Sequence, residues 1–191
     1  MSRPVLQIVV ASTRPGRSGP AFARWFAAAA DSDGGFDVEV VDLAEVALPF
    51  LDEPDHPRLG RYRHEHTKRW SATVDRADAF VFCTPEYNHG YPATLKNAID
   101  FLHAEWADKP VGFLSYGGVS AGTRSVQQLK QVVVGLRMVP VVESVTVPFA
   151  SSVLGPDGEV SPTGAMDNAA DAMLAELARL TARLRPVPAA S

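Results

Sequence analysis

One cysteine, Cys83, is all the thiol this 191-residue chain carries, which excludes an intrachain disulfide framework. Cys83 lies within the apolar run Ala79-Phe80-Val81-Phe82-Cys83, where a free thiol serves as a small core hydrophobe rather than as a nucleophile. Basic residues are not in excess: 18 Lys and Arg stand against 22 Asp and Glu, for a net charge of -4, which argues against nucleic acid as a partner. The apolar runs are too short to span a bilayer. The start, Met1-Ser2-Arg3-Pro4, leads directly into a strand-like run and does not read as a signal peptide. There is no G-x-G-x-x-G for a pyrophosphate, no G-K-[ST] of a P-loop and no H-x-x-x-H of a zinc helix. Internal repeats and low-complexity segments are also missing. With 46% hydrophobic and 21% charged residues, the expectation is one cytoplasmic domain over residues 1–191, with a loose Pro- and Ala-rich tail at 185–191.

What is present is an alternation of apolar strands and amphipathic helices. Val5–Val10 reads as a buried strand. A helix follows from Pro20–Ala21, with Phe22, Trp25, Phe26 and Ala29 on one face. Residues 36–43 form a second strand, and Pro49, Pro54 and Pro57 mark a loop. The pattern predicts a charged helix over 62–77, a strand over 79–83, a helix over 92–106, a strand over 110–115, a helix over 120–136 and a strand over 139–147. A last helix over 166–184 carries Met166, Ala170, Met173, Leu174, Leu177, Thr181 and Leu184 on one stripe. Strands alternating with helices imply right-handed crossovers and a parallel sheet covered on both faces. Five of them predict the flavodoxin-like version of the doubly wound α/β fold.

In such a fold ligands bind at the carboxyl edge of the sheet, and three loops there carry the polar chemistry. After the first strand comes Ala11-Ser12-Thr13-Arg14-Pro15-Gly16-Arg17-Ser18-Gly19-Pro20. Loop amides and the helix N-terminus offer donors and a positive dipole. The hydroxyls of Ser12, Thr13 and Ser18 add hydrogen bonds, and Arg14 and Arg17 add charge-assisted ones. The set suits a terminal phosphate monoester, and a surface turn with an N-cap serine is the plain alternative. Asp42, where a dinucleotide fold would hold a ribose, reads as a strand-end residue because the glycine pattern is missing. After the third strand, Thr84-Pro85-Glu86-Tyr87-Asn88-His89-Gly90-Tyr91-Pro92 is rich in turn residues and flat side chains. After the fourth strand, Ser115-Tyr116-Gly117-Gly118 lets backbone approach a ligand closely. One loop for a phosphate and two that embrace a flat ring match FMN.

These residues resemble the NADPH-dependent FMN reductase family, which includes quinone, azo-dye and chromate reductases of flavodoxin-like fold. The resemblance spans roughly residues 5–184. Its most specific part is Thr84-Pro85-Glu86-Tyr87-Asn88 with Leu95-Lys96-Asn97-Ala98-Ile99-Asp100, and Ser12-Thr13-Arg14 is similar to the family's Gly-Ser-x-Arg phosphate loop. It implies that Ser12, Arg14 and nearby hydroxyls hold the FMN phosphate. It implies that Pro85, Glu86, Tyr87 and Asn88 border the isoalloxazine, and that Ser115, Tyr116, Gly117 and Gly118 line its other side. Ala11 stands where the family's first glycine is usual, and Arg17 where many members carry a hydroxyl.

The function these readings lead to is an FMN-dependent oxidoreductase. NADPH or NADH gives hydride to the flavin, which passes electrons to a small-molecule acceptor: a quinone, an azo compound, a metal oxyanion or free flavin. No side chain is expected to do the redox chemistry, which the cofactor carries. The alternatives are a flavodoxin-like electron carrier without NAD(P)H turnover, and a nucleotide dehydrogenase without flavin. No metal is expected: His64 and His66, two apart, should sit on different faces of a charged helix. Glu86 shapes its loop rather than acting as a base. His89 could touch substrate, and Arg124 could meet a dinucleotide phosphate or a neighbouring subunit, with Glu143 across the interface. Large aromatics near the ring loop, Tyr87, Tyr91 and Trp106, together with the family resemblance, suggest a homodimer or a dimer of dimers.

Overall fold

In the computed structural model, the described residues 3–185 build a five-stranded, all-parallel sheet with helices on both faces. In chain order the elements are β1 (Val5–Val10), α1 (Gly19–Asp33), β2 (Asp37–Asp42), α2 (Leu43–Val46), α3 (Glu65–Asp75), β3 (Ala79–Pro85), α4 (Ala93–Asp100), β4 (Pro110–Tyr116), α5 (Thr123–Gly135), β5 (Val139–Val147) and α6 (Gly164–Leu184). The strand order is β2-β1-β3-β4-β5. From β1 the chain crosses one way to β2 and then back past β1 to β3. The carboxyl ends of β1 and β3 therefore flank a topological switch point, where a crevice opens.

Strand alternation divides the core in two. In β1, Leu6, Ile8 and Val10 face one side and Val9 and Ala11 the other; in β3, Ala79, Val81 and Cys83 oppose Phe80 and Phe82. The first set packs on α1 and α6 through Phe22, Phe26, Met173 and Leu177. The second packs on α3, α4 and α5 through Trp70, Leu95, Val126 and Leu129. Each fully buried Phe or Leu contributes about 1.5–3 kcal/mol by leaving water. Helix α1 stops where Gly34 turns left-handed at φ 75° and returns its N–H to Ala30 O. Gly112 admits α6 close to β4, since a Cβ there would lie 2.6 Å from the Met173 sulfur.

Several boundaries differ from the sequence expectation. The helix expected over 92–106 ends at Asp100, and Ala104–Trp106 is a separate 3-10 turn. Two buried indoles account for this: Trp70 Nε1 donates to Ala98 O (2.8 Å) and Trp106 Nε1 to Ile99 O (3.1 Å), so carbonyls at the end of α4 are satisfied by side chains. The helix expected from Tyr62 begins at Glu65, because the amides of Arg63 and His64 donate to the Glu53 carboxylate instead. Asp42 is a helix cap, accepting from Ala44 N at 2.9 Å, and starts the unforeseen α2. The loose tail expected at 185–191 falls outside the described residues except for Arg185, whose guanidinium donates to Asp78.

Candidate active site

The three loops meet at the carboxyl edge as expected. The parallel register sets Val10 beside Asp42 and Cys83, and Pro85 beside Tyr116. Between the loops lies a cleft of about 180 Å³ lined by Arg14, Gly16, Arg17, Ser18, Pro85, Glu86, Tyr87, Tyr116 and Gly117. That is below the roughly 300–1,000 Å³ of an enclosed ligand pocket, so a cofactor seated here keeps much of its surface open. Within a hydrogen bond of the cleft wall, or behind it, lie Ser12 and Ser115. Thr13 faces a separate cavity of about 370 Å³ shared with α2 and α4.

The phosphate-loop residues take different parts. Ser12 is fully buried, and its hydroxyl shares a 2.6 Å hydrogen bond with the Tyr87 hydroxyl, which ties the first loop to the ring loop. Arg14 is exposed and has no ion-pair partner among the described residues. Arg17 donates from Nη2 to Asp42 Oδ2 at 2.5 Å, while its buried Nε has no partner. Asp42 therefore already occupies part of the charge that the sequence offered to an anion. Ser18 precedes α1 without a side-chain cap.

The ring loop is a tight turn. Tyr87 and Gly90 exchange backbone hydrogen bonds of 2.8 and 3.0 Å, and the two residues between them, Asn88 (φ 48°) and His89 (φ 70°), are both left-handed. Positive φ at both central positions is the signature of a type I′ turn. Neither residue is glycine, so this conformation is held at a cost. Glu86 lines the cleft, and its carboxylate is taken up by the start of α5: its Oε1 accepts from Arg124 Nε at 2.6 Å and from Ser120 Oγ at 3.1 Å. Desolvation pushes this carboxyl up, but the hydrogen bonds from Arg124 and Ser120 and the arginine's charge outweigh it and hold the group below the ordinary carboxylate range. Glu86 thus ties the ring loop to the start of α5, and within one chain Arg124 is its ion-pair partner.

On the far side, Ser115 Oγ is buried and donates to Ala121 O at 2.8 Å, closing the glycine loop on itself. Gly122 is left-handed at φ 78° and lies so near Ser115 that a Cβ would come within 2.9 Å of its Cβ. The Tyr116 ring stacks on Phe22 with centroids 4.8 Å apart. Its hydroxyl is buried at the cleft wall and has no hydrogen-bond partner. Burial drives that phenol well above its usual range, so it stays a neutral donor. The backbone of Gly117 and Gly118 is engaged by β5 and the segment after it, through Val147, Phe149 and Ala150.

An unpaired exposed guanidinium (Arg14), a buried guanidinium Nε without an acceptor (Arg17) and a buried phenol without one (Tyr116) all border one cleft. A ligand rich in acceptors, with an anionic end and polar ring edges, supplies what these donors lack. FMN fits that description, and G-x-G-x-x-G chemistry is not required for it.

Two expectations fail here. Trp106 is not near the ring loop: it is 1% exposed and sits among Trp70, Phe80 and Phe82. His64 and His66 do not point apart, because His64 precedes α3 in extended conformation; their rings stack at 5.2 Å. Among the described residues no group of His, Cys, Asp or Glu is arranged to hold a metal ion. Ser120, Ser125 and Gln128, on or just before α5, were not singled out from sequence, yet all three hydrogen-bond the ring loop. The available signal was Ser125, a polar residue four places before the core Leu129 on the helix's buried side.

The sequence model of the family described as NADPH-dependent FMN reductase matches residues 5–152. The chain is 40% identical over 156 residues to an NAD(P)H-dependent FMN reductase of Schizosaccharomyces pombe, covering 80% of this chain and 78% of that one. It is 38% identical over 105 residues to an NAD(P)H:quinone oxidoreductase of Solanum tuberosum, covering 53% and 52% of the two chains. Its fold is similar to that of FerB, a flavoenzyme NAD(P)H:(acceptor) oxidoreductase of Paracoccus denitrificans, with a TM-score of 0.74, 20% identity and coverage of 95% and 98%.

Proposed function

Because this chain belongs to the NADPH-dependent FMN reductase family, we propose that it is an FMN-dependent NAD(P)H oxidoreductase whose acceptors are small molecules such as quinones, azo compounds, metal oxyanions or free flavin. The observation that carries the site assignment is the convergence of partnerless donors on the cleft at the β1–β3 switch point. In this reading Arg14 and Ser18, with the backbone amides of Thr13, Gly16 and Ser18 and a share of Arg17, hold the phosphate. Ser12 acts through Tyr87, which it fixes by their 2.6 Å hydrogen bond. Pro85, Glu86, Tyr87 and Asn88 border one side of the ring through the turn's backbone, and Tyr116, Gly117 and Gly118 border the other, with Ser115 and Thr13 supporting from behind. FMN supplies the acceptance of a hydride and its onward delivery. The protein binds, orients and leaves one side open, which suits acceptors of many shapes.

The same reading includes one domain, a cytoplasmic location and a homodimer or dimer of dimers. No described helix is long and apolar enough to cross a membrane. Phe50 is 88% exposed on a loop pinned on both sides by Asn97, which donates to Pro49 O (2.8 Å) and accepts from Leu51 N (3.0 Å). A large aromatic held rigidly in water suits burial against a second copy.

The test is the visible spectrum of the purified protein before and after NADPH. A flavin spectrum that bleaches on NADPH alone, with FMN released on heating, is expected. Bound FMN that NADPH leaves oxidised would make the protein an electron carrier. A protein that neither carries FMN nor takes it up would end the reading.

A further inference from the structure

The ring loop does not hold itself. Its turn keeps two non-glycine residues left-handed, a conformation that persists only when neighbouring structure fixes it. The first turns of α5 provide that structure. The Ser125 hydroxyl, fully buried, lies 2.9 Å from Pro85 O and 2.7 Å from Gly90 O, so one O–H is shared between carbonyls at the two ends of the loop. Gln128, one turn further, donates from Nε2 to His89 O at 3.0 Å. Gly90 packs so near the Gln128 amide that a Cβ would meet its Oε1 at 3.2 Å. Glu86 accepts from the Arg124 amide at 3.3 Å and from its side chain, placing a carboxylate at the positive end of the helix.

We propose that Ser125 is a positioning residue for the flavin site: by bridging Pro85 and Gly90 from within α5, with Gln128 as the outer support, it holds the Tyr87–Gly90 turn in the shape that binds FMN. Ser125 touches neither the cleft nor any reacting atom. It acts through the loop, and the inference rests on the FMN reading above.

The logic is a matter of alternatives for each group. Without the Ser125 hydroxyl, Pro85 O keeps only the Thr84 hydroxyl and Gly90 O only the Tyr87 amide, the bridge between the two ends of the loop is gone, and the turn's strain is no longer opposed at its base. The loop then samples other conformations. A ligand that needs the native one binds more weakly in proportion to the fraction of molecules that retain it.

The experiment uses Ser125→Ala, Ser125→Thr and Gln128→Ala, with Gly112→Ala as a control that perturbs the β4–α6 packing far from the loop. Two readouts are taken: hydrogen exchange of the 85–91 segment in FMN-free protein, and FMN affinity by fluorescence titration with the visible flavin spectrum recorded at saturation. Ser125→Ala is expected to speed exchange of this segment, raise the FMN Kd about tenfold and alter the flavin band shape. Ser125→Thr, which keeps the hydroxyl, should recover most of the affinity. Gln128→Ala, on the surface, should move both readouts in the same direction by less, and it decides the question should Ser125→Ala fail to fold. Gly112→Ala should lower thermal stability without moving either readout. Faster exchange with an unchanged FMN Kd and spectrum overturns the proposal, as does an equal loss of affinity in Gly112→Ala. A wild-type protein that takes up no FMN refutes the flavin reading itself, and the positioning role with it.

Discussion

Replacing Arg14 by alanine removes, among the described residues, the one cationic side chain lining the cleft that has no ion-pair partner. Arg17 is 2.5 Å from Asp42 and must share its charge or leave that partner to meet a phosphate. Arg14 has no such partner among the described residues, so its bond to an incoming dianion is made without breaking another. A hydrogen bond to a charged group contributes about 1.5–3 kcal/mol. Arg14 is exposed, however, and water and salt weaken such contacts. The lower end of the range is therefore expected at physiological ionic strength, which is a roughly tenfold rise in the FMN Kd. Lowering the salt should widen the difference. The assay is quenching of FMN fluorescence on titration with flavin-free protein, run in parallel with riboflavin, which lacks the phosphate. Riboflavin affinity should be the same in wild type and Arg14→Ala. Equal FMN affinity in the two proteins, or an equal loss for riboflavin, would refute the placement of the phosphate beside Arg14. Asp42→Asn completes the argument: by releasing Arg17 it should tighten FMN binding while leaving riboflavin unaffected.

Other consequences can be measured independently. Tyr87→Phe removes the bond to the buried Ser12 hydroxyl and should cost about 1 kcal/mol in chemical denaturation, together with weaker FMN binding because the two loops are no longer tied. Gly122→Ala puts a Cβ on a left-handed residue, where it would lie 2.9 Å from Ser115 Cβ and 3.0 Å from Tyr116 N; a loss of about 1–3 kcal/mol is expected, and a melting temperature equal to that of wild type would contradict it. Glu53 is held at about 2, where burial pushes it up but the hydrogen bonds from the Arg63 and His64 amides and the nearby His64 prevail. Its folded value lies below its unfolded one, so its stabilisation is complete above pH ~4.5 and is lost as the pH falls towards 2. Glu53→Gln should flatten the stability profile in that window. Light scattering should give at least twice the 20.5 kDa chain mass, and Phe50→Asp should lower it. A wild-type monomer with full reductase activity would remove the dimer.

The sheet, its order of elements and the edge that carries the cleft were legible in the chain because they depend on local periodicity. Runs such as Phe80–Cys83 are buried wherever they fall, and parallel strands joined by helices have one favoured handedness. The three loops were legible for the same reason, since turn residues mark the ends of strands. What the sequence could not determine was how side chains are shared once the loops meet. Arg17 looked as available as Arg14 until β2 brought Asp42 beside the end of β1. Trp106 looked like an interface aromatic until its indole closed the end of α4 inside the core. Ser125 looked like an ordinary helical serine until α5 packed it beneath the ring loop. Periodicity and turn chemistry act within a few residues, whereas pairing of a charge or a hydroxyl depends on which distant group reaches it first. That is decided only when the sheet sets residues dozens of positions apart within a hydrogen bond of each other.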